Sequence, residues 1–224
     1  MRLRTDRIKD HRERAIDARD NSFPSAATPA LSLLKRSLDI FVAAGALVVL
    51  SPMLILVMAA ISLESPGSPI FTQWRTGLSG AKFRIFKLRT MTIGDADSTD
   101  VRPADVADPR ITRLGALLRR SSIDELPQLI NVLLGDMTLV GPRPHAVEHD
   151  AIYCREIANY NQRFAVRPGL TGLAQISGSR GGGDVEQIRC RVAHDLAYIS
   201  DWHIGRDLKI IALTVPHLVW YKAH

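Results

Sequence analysis

Residues 40–63 read IFVAAGALVVLSPMLILVMAAISL, with no charged side chain among them. As a helix this stretch would measure about 36 Å, enough to cross a hydrocarbon core of about 30 Å. Two features argue against a simple span. Ser51-Pro52 stands in its middle, and proline removes a helical hydrogen bond and crowds the carbonyl one turn back, on Val48. Each half then reaches only about 16–18 Å, roughly half the bilayer. Both flanks are also basic. Lys35 and Arg36 come before the run; Arg75, Lys82, Arg84, Lys87 and Arg89 come after it, with no acid between residues 65 and 94. Basic flanks favour the cytoplasm, and both can lie there only if the chain enters and leaves by one face. The reading is a re-entrant membrane helix over residues 33–64, broken at Ser51 and Pro52. A straight span and the core helix of a soluble protein are the alternatives.

The rest of the chain divides around this anchor. Residues 1–32 mix basic and acidic side chains and then turn polar, which suggests a disordered charged tail with too little apolar surface to offset ordering. Nothing there reads as a secretory signal. The net charge is +6 and the isoelectric point about 9.7, so the partner is expected to be anionic: a phosphorylated substrate, a membrane surface or nucleic acid. Cys154 and Cys190 show neither redox nor zinc spacing and fit a reducing compartment.

Residues 65–224 read as one cytoplasmic domain of α+β class, mostly helical with a short β-hairpin. Residues 70–75 and 82–89 alternate around a glycine-bounded turn, the pattern of two paired strands. Helices are expected over 111–120, over a segment ending at Leu134, and over 150–164, 185–200 and 207–221. In the second of these, Leu126, Leu129, Ile130, Leu133 and Leu134 would face the core, and Gly135 would end it. Trp220, Tyr221 and Lys222 suit either a membrane interface or core packing. Arg167-Pro168-Gly169-Leu170-Thr171-Gly172 reads as a loop whose backbone can approach a ligand. Gly181, Gly182 and Gly183 fit a lid or a plain linker.

The chemistry concentrates in Ser121-Ser122-Ile123-Asp124-Glu125-Leu126-Pro127-Gln128. Either Ser122 caps a helix with Glu125 at capping-box spacing, or Asp124 is the cap and Pro127 sits in the first turn. Both place Asp124 at the positive end of a helix dipole, which favours its ionised form. Arg119 and Arg120 precede the pair and Arg143 follows in Gly141-Pro142-Arg143-Pro144. Carboxylates can attack, take a proton or hold Mg²⁺, while arginines clamp anionic oxygens, a combination suited to phosphate chemistry. Locally, both acids could equally be caps and nothing more. His145-Ala146-Val147-Glu148-His149 matches H-x-x-E-H, but a zinc site would also need a third ligand and a settled helix.

Several motifs taken in order carry a resemblance. They are Lys35-Arg36, the run broken at Ser51-Pro52, Phe86-Lys87-Leu88-Arg89-Thr90-Met91, Asp124-Glu125-Leu126-Pro127-Gln128, Gly135-Asp136-Met137, Gly141-Pro142-Arg143-Pro144, and the 167–172 segment. From about residue 35 onward the chain resembles the bacterial sugar transferases, the monotopic polyprenyl-phosphate phosphoglycosyl transferases, in a short form similar to those that transfer hexose 1-phosphate in exopolysaccharide synthesis. The resemblance implies an enzyme on the cytoplasmic face of the bacterial inner membrane. It would move glucose or galactose 1-phosphate from a UDP-sugar to undecaprenyl phosphate and release UMP. It implies Asp124 as nucleophile, Glu125 as Mg²⁺ ligand or acid/base partner, and Arg119 and Arg143 as phosphate contacts. Lys87, Arg89 and Arg167 are implied as further anion contacts. The partners so implied are UDP-sugar, undecaprenyl phosphate and membrane lipid, without nucleic acid; a homodimer is left open. The competing readings are a non-catalytic membrane scaffold that binds anionic lipid and a basic nucleic-acid-binding protein using the hairpin.

Overall fold

The computed structural model describes residues 29–92, 108–178 and 185–220. The expected tail up to residue 28, most of the polar loop before residue 110, the triple glycine and the Tyr221-Lys222 interface pair fall outside them; the last four residues of that tail are ordered instead, as a 3-10 turn over Pro29–Leu31 and the cap residue Ser32.

Helix α1, Leu33–Glu64, runs through the apolar stretch, and Ser32 caps its start by accepting the Lys35 N–H. It is 32 residues long, about 48 Å, and apolar and long enough to cross a membrane. The helix continues through Pro52 rather than ending there. The carbonyl that proline strips of its N–H, on Val48, instead accepts the Ser51 hydroxyl at 2.9 Å, which limits the cost of the lost bond. The Ser-Pro pair is thus self-compensating within one continuous helix. Lys35, Asp39, Ala43, Leu54 and Ile61 are buried, with Leu47, Leu50 and Met58 partly so. At spacings of three and four they form one stripe, by which α1 lies along the domain. Its other faces leave Phe41, Val48, Val49, Ile55, Leu56 and Leu63 exposed.

Strands β1 (Ile70–Thr76) and β2 (Lys82–Leu88) form the expected antiparallel hairpin. Helix α2 (Arg113–Ser121) packs its start against the end of β2. A Cβ on Gly115 would meet the Thr90 carbonyl oxygen at 2.0 Å, so only glycine allows this approach. Helix α2 stops at Ser122, whose left-handed φ of 57° turns the chain into a 3-10 turn over Ile123–Glu125. Helix α3 (Gln128–Leu134) begins only after Pro127. Neither expected cap forms: the Ser122 side chain makes no capping bond, and Asp124 lies one turn before α3. Gly135 ends α3 at φ 94° as expected. The buried face of α3 differs from the leucine stripe read from sequence. Gln128, Leu129, Asn131 and Val132 are inside, while Ile130 and Leu134 are exposed.

Strand β3 (Thr138–Val140) pairs in parallel with β4 (Gly169–Thr171). The 167–172 segment is therefore committed to backbone pairing rather than open to a ligand. A Cβ on Gly169 would fall 2.1 Å from the Gly141 nitrogen. Helices α4 (Val147–Glu156), the short α5 (Leu173–Ile176), α6 (Val185–Ser200) and α7 (Ile204–Trp220) complete the α+β domain.

The largest core cluster joins Ala43 of α1 to Phe83, Ile85, Val132, Met137, Val140, Tyr198 and Ile210. Polar bonds reinforce it. Lys35 forms a buried ion pair with Asp207 at 2.6 Å and donates to the Val140 carbonyl at 3.0 Å. Asp39 accepts from Thr138 and from the Leu139 N–H. Arg36 donates to the Val132 and Leu133 carbonyls, where α3 has run out of its own donors. The two basic residues read as a charged flank are thus spent inside the fold.

Candidate active site

The candidate site forms where four elements meet. The 3-10 turn is held from below, because Ile123 and Leu126 pack against a cluster of Leu54, Ile61, Leu88 and Leu118. These two anchors bracket Asp124 and Glu125. Asn131 then locks α3 to β2: its amide donates to the Arg84 carbonyl at 2.7 Å and its oxygen accepts the Phe86 N–H at 3.0 Å. That lock sets the strand register one residue before Lys87. Glu125 takes Lys87 at 2.8 Å and is bridged by both terminal nitrogens of Arg143, one at 3.0 Å. Arg143 is delivered by the loop after β3, and its own carbonyl accepts from the buried Arg163 at 2.7 Å. Arg119 stands on α2 and is steadied by the Thr90 hydroxyl at 3.0 Å and the Met91 sulfur.

The two adjacent acids have opposite environments. Burial pushes the Glu125 carboxyl up, but Arg143 and Lys87 outweigh it and hold the group well below the usual carboxylate range. Glu125 in turn raises Arg143. Asp124 is buried, and among the described residues no donor reaches its carboxylate. Burial, and then the Glu125 charge, push it up to about 6 against the pull of Lys87, Arg143 and Arg119. Asp124 is therefore ionised at neutral pH, poorly solvated and unencumbered, the condition of a reactive carboxylate. This is the reverse of the ease of ionisation expected from a helix dipole. Glu125 is the fixed anion that gathers two cations beside it.

Comparison with known proteins shows the family. The family model for bacterial sugar transferases matches residues 30–221. The chain belongs to the bacterial sugar transferase family. A UDP-glucose:undecaprenyl-phosphate glucose-1-phosphate transferase of Caulobacter vibrioides is 53% identical over 85% of this sugar transferase and 71% of the relative. An Escherichia coli protein of the same name is 47% identical over 82% of the chain, but that match spans only 39% of the relative. The exopolysaccharide production protein PSS of Rhizobium leguminosarum is 46% identical over 82% of the chain and 94% of its own length.

Among the side chains singled out from sequence, the sugar transferase brings Asp124, Glu125, Lys87 and Arg143 together, with Arg119 near enough to act on Asp124. It does not bring Arg89 or Arg167 there. Arg89 is buried and donates to the carbonyls of Ile61, Ser65 and Pro66, capping the end of α1. Arg167 donates to the Gly135 and Ala30 carbonyls. Both guanidiniums serve orphaned backbone oxygens, a use no linear pattern distinguishes from anion binding. Asn131, Thr90 and Arg163 were not singled out. Asn131 alone left a trace, as a polar residue within an apolar helix. The H-x-x-E-H match resolves without zinc: the His145 ring nitrogens lie against Tyr160 on one side and Arg191 on the other. Burial, with Arg163 and Arg191, holds His145 well below its ordinary pKa.

Of the two acids, Asp124 has a carboxylate that no donor among the described residues occupies, whereas both Glu125 oxygens are engaged by Lys87 and Arg143, so Glu125 could hold Mg²⁺ only in exchange for one of those contacts. The ion commonly takes one or two protein carboxylates and completes its shell with phosphate oxygens and water. Among the described residues no group of three His, Cys, Asp or Glu forms a closed site, so substrate oxygens would have to supply the rest.

Proposed function

We propose that this transferase moves glucose 1-phosphate from UDP-glucose to undecaprenyl phosphate and releases UMP, as the first membrane step of exopolysaccharide synthesis. The relatives' names support the substrates. The single observation that carries the chemistry is the unbonded, buried Asp124 carboxylate beside a Glu125 clamped by Lys87 and Arg143.

In the first step an Asp124 oxygen attacks the phosphorus that bears the sugar. The bond from that phosphorus to the bridging oxygen breaks, and UMP leaves with the electron pair. A glucose-phosphoryl–aspartyl ester remains. In the second step an oxygen of undecaprenyl phosphate attacks the same phosphorus and the Asp124 carboxylate departs unchanged. Splitting the displacement in two lets one site serve a soluble donor and a lipid acceptor in turn. Lys87 and Arg143, held in place by Glu125, present cationic donors where phosphoryl charge develops. Glu125 would hold Mg²⁺ by exchanging one of its Lys87 or Arg143 contacts for the ion, with Asp124 adjacent, and the ion would neutralise the diphosphate and stabilise the leaving nucleotide.

The membrane arrangement that fits is monotopic, with the site on the cytoplasmic face of the inner membrane. Both ends of α1 are tied to one body: Lys35 and Arg36 at the start, and Arg89 with the Glu64–Leu114 contact at the end. A crossing helix would have to hold that polar body on both sides of about 30 Å of hydrocarbon. Exposed Leu117, Ile130, Leu134, Leu208 and Leu213 on α2, α3 and α7 suit an interface with acyl chains.

The test is UMP release by the full chain in nanodiscs with UDP-glucose, undecaprenyl phosphate and Mg²⁺. Without acceptor, intact-mass analysis should find one glucose phosphate added to the wild type and none to Asp124→Asn. Full turnover by Asp124→Asn would refute the assignment.

A further inference from the structure

Arg75 is a largely buried arginine at the edge of the site, and the chemistry above does not use it. Buried charges are ordinarily paired. Among the described residues no carboxylate comes within ion-pair distance of Arg75. Its guanidinium donates to the Gln73 amide oxygen at 2.6 Å and makes only a long 3.5 Å contact to the Pro144 carbonyl. Among the described residues its Nε is buried without a partner. Arg89 offers the useful contrast. It too lacks a carboxylate, but three carbonyls at the end of α1 absorb its charge. Arg75 has no such set of acceptors.

Its placement follows from the hairpin register. Phe71 pairs with Lys87 and Arg75 with Phe83, so Phe71, Gln73 and Arg75 share one face of β1, and Lys87 points from the same face. Beyond β1, Arg75 makes an isolated bridge to Ala146, three residues past Arg143. Burial, and then repulsion by Arg143, lower the Arg75 guanidinium to about 10, with Asp150 and Glu125 opposing. A cation under this load gains more from an incoming anion than one already satisfied.

We infer that Arg75, oriented by Gln73, is a phosphate contact of the transfer reaction, extending the Lys87–Arg143 cationic row along the hairpin. The inference rests on the sugar-phosphate reading of the site and adds a residue to it. The shared chemistry is a phosphate oxygen accepting the guanidinium. It has two sources, the donor's diphosphate or the acceptor lipid's phosphate.

The experiment uses full-length Arg75→Gln and Arg75→Lys in nanodiscs, with melting temperature as the check on folding. Isothermal calorimetry with UDP reads donor binding. Rapid-quench kinetics separate UMP release without acceptor from discharge of the preformed intermediate by undecaprenyl phosphate. Losing a charge-assisted contact should cost Arg75→Gln about 10- to 100-fold, with Arg75→Lys between it and the wild type. Loss in UDP affinity and UMP release assigns the donor diphosphate. Loss confined to the apparent affinity for undecaprenyl phosphate in the second step assigns the acceptor. Wild-type values in both steps for either folded variant would overturn the inference while leaving the transfer reading intact. Failure of the wild type to release UMP would sink that reading and this one with it.

Discussion

Replacing Asp124 by Asn should remove activity and at the same time change how stability responds to pH. Asp124 moves from an ordinary value of 3.8 to about 6 in the folded protein. A displacement of about 2 units corresponds to about 3 kcal/mol at about 1.36 kcal/mol per unit. The sign follows from proton counting. Between these two values the unfolded chain has lost the proton and the folded chain retains it, so stability falls as pH rises. The stabilisation is complete below the unfolded pKa and is gone once pH passes about 6. Asparagine has no such proton, and its other effects are independent of pH. Relative to Asp124→Asn, the wild type should therefore lose about 3 kcal/mol between about pH 4 and pH 7. For a domain of this size that is roughly 6–12 °C in relative melting temperature. The assay is thermal unfolding of both proteins by intrinsic fluorescence, in the same detergent, at intervals across that range. A gap that stays constant, or that moves in favour of the wild type as pH rises, would show that Asp124 is not a buried, unpaired carboxylate.

The same titration should appear in catalysis: single-turnover UMP release should decline below about pH 6, and a profile flat to pH 5 would argue against an ionised Asp124. Lys35→Met takes the cation from buried Asp207, leaving it only the neutral donors Tyr198 and Trp202, and should cost about 3 kcal/mol, whereas Lys35→Met with Asp207→Leu should recover part of it; chemical denaturation tests this, and a double variant no better than the single would deny the pairing. Asn131→Ala removes the bonds from α3 to β2 and should cost about 2–4 kcal/mol, seen as a lowered melting temperature. Gly115→Ala should also lower it, because the new methyl meets the Thr90 backbone; an unchanged melting temperature would mean that α2 and the end of β2 are not held this close.

The hairpin was readable because its signal is local: alternation on both sides of a short glycine turn. The 167–172 segment was not, because its glycines allow close approach to Gly141, nearly thirty residues earlier in the chain. A loop and a strand packed backbone to backbone can share the same residues. The leucine stripe of α3 misled for a related reason. Asn131 is buried because β2 offers its side-chain amide two partners; Gln128 is buried beside it with its amide nitrogen unpartnered among the described residues, and Ile130 and Leu134 are left outside. Periodicity counts apolar side chains but does not see which polar ones will be satisfied.

The sequence alone determined the long apolar helix, the hairpin, the α+β class and the adjacency of Asp124 and Glu125, since each depends on neighbours in the chain. Its ordered motifs also pointed to the family. Tertiary structure decided which acid is free and which is clamped. That difference comes from Lys87 and Arg143, which reach Glu125 from 38 and 18 residues away and leave Asp124 without a donor among the described residues. It also decided which arginines face the reaction. Arg89 and Arg167 cap backbone carbonyls, whereas Arg143 joins the carboxylates. A guanidinium meets either need equally well, and only the fold determines which is within reach.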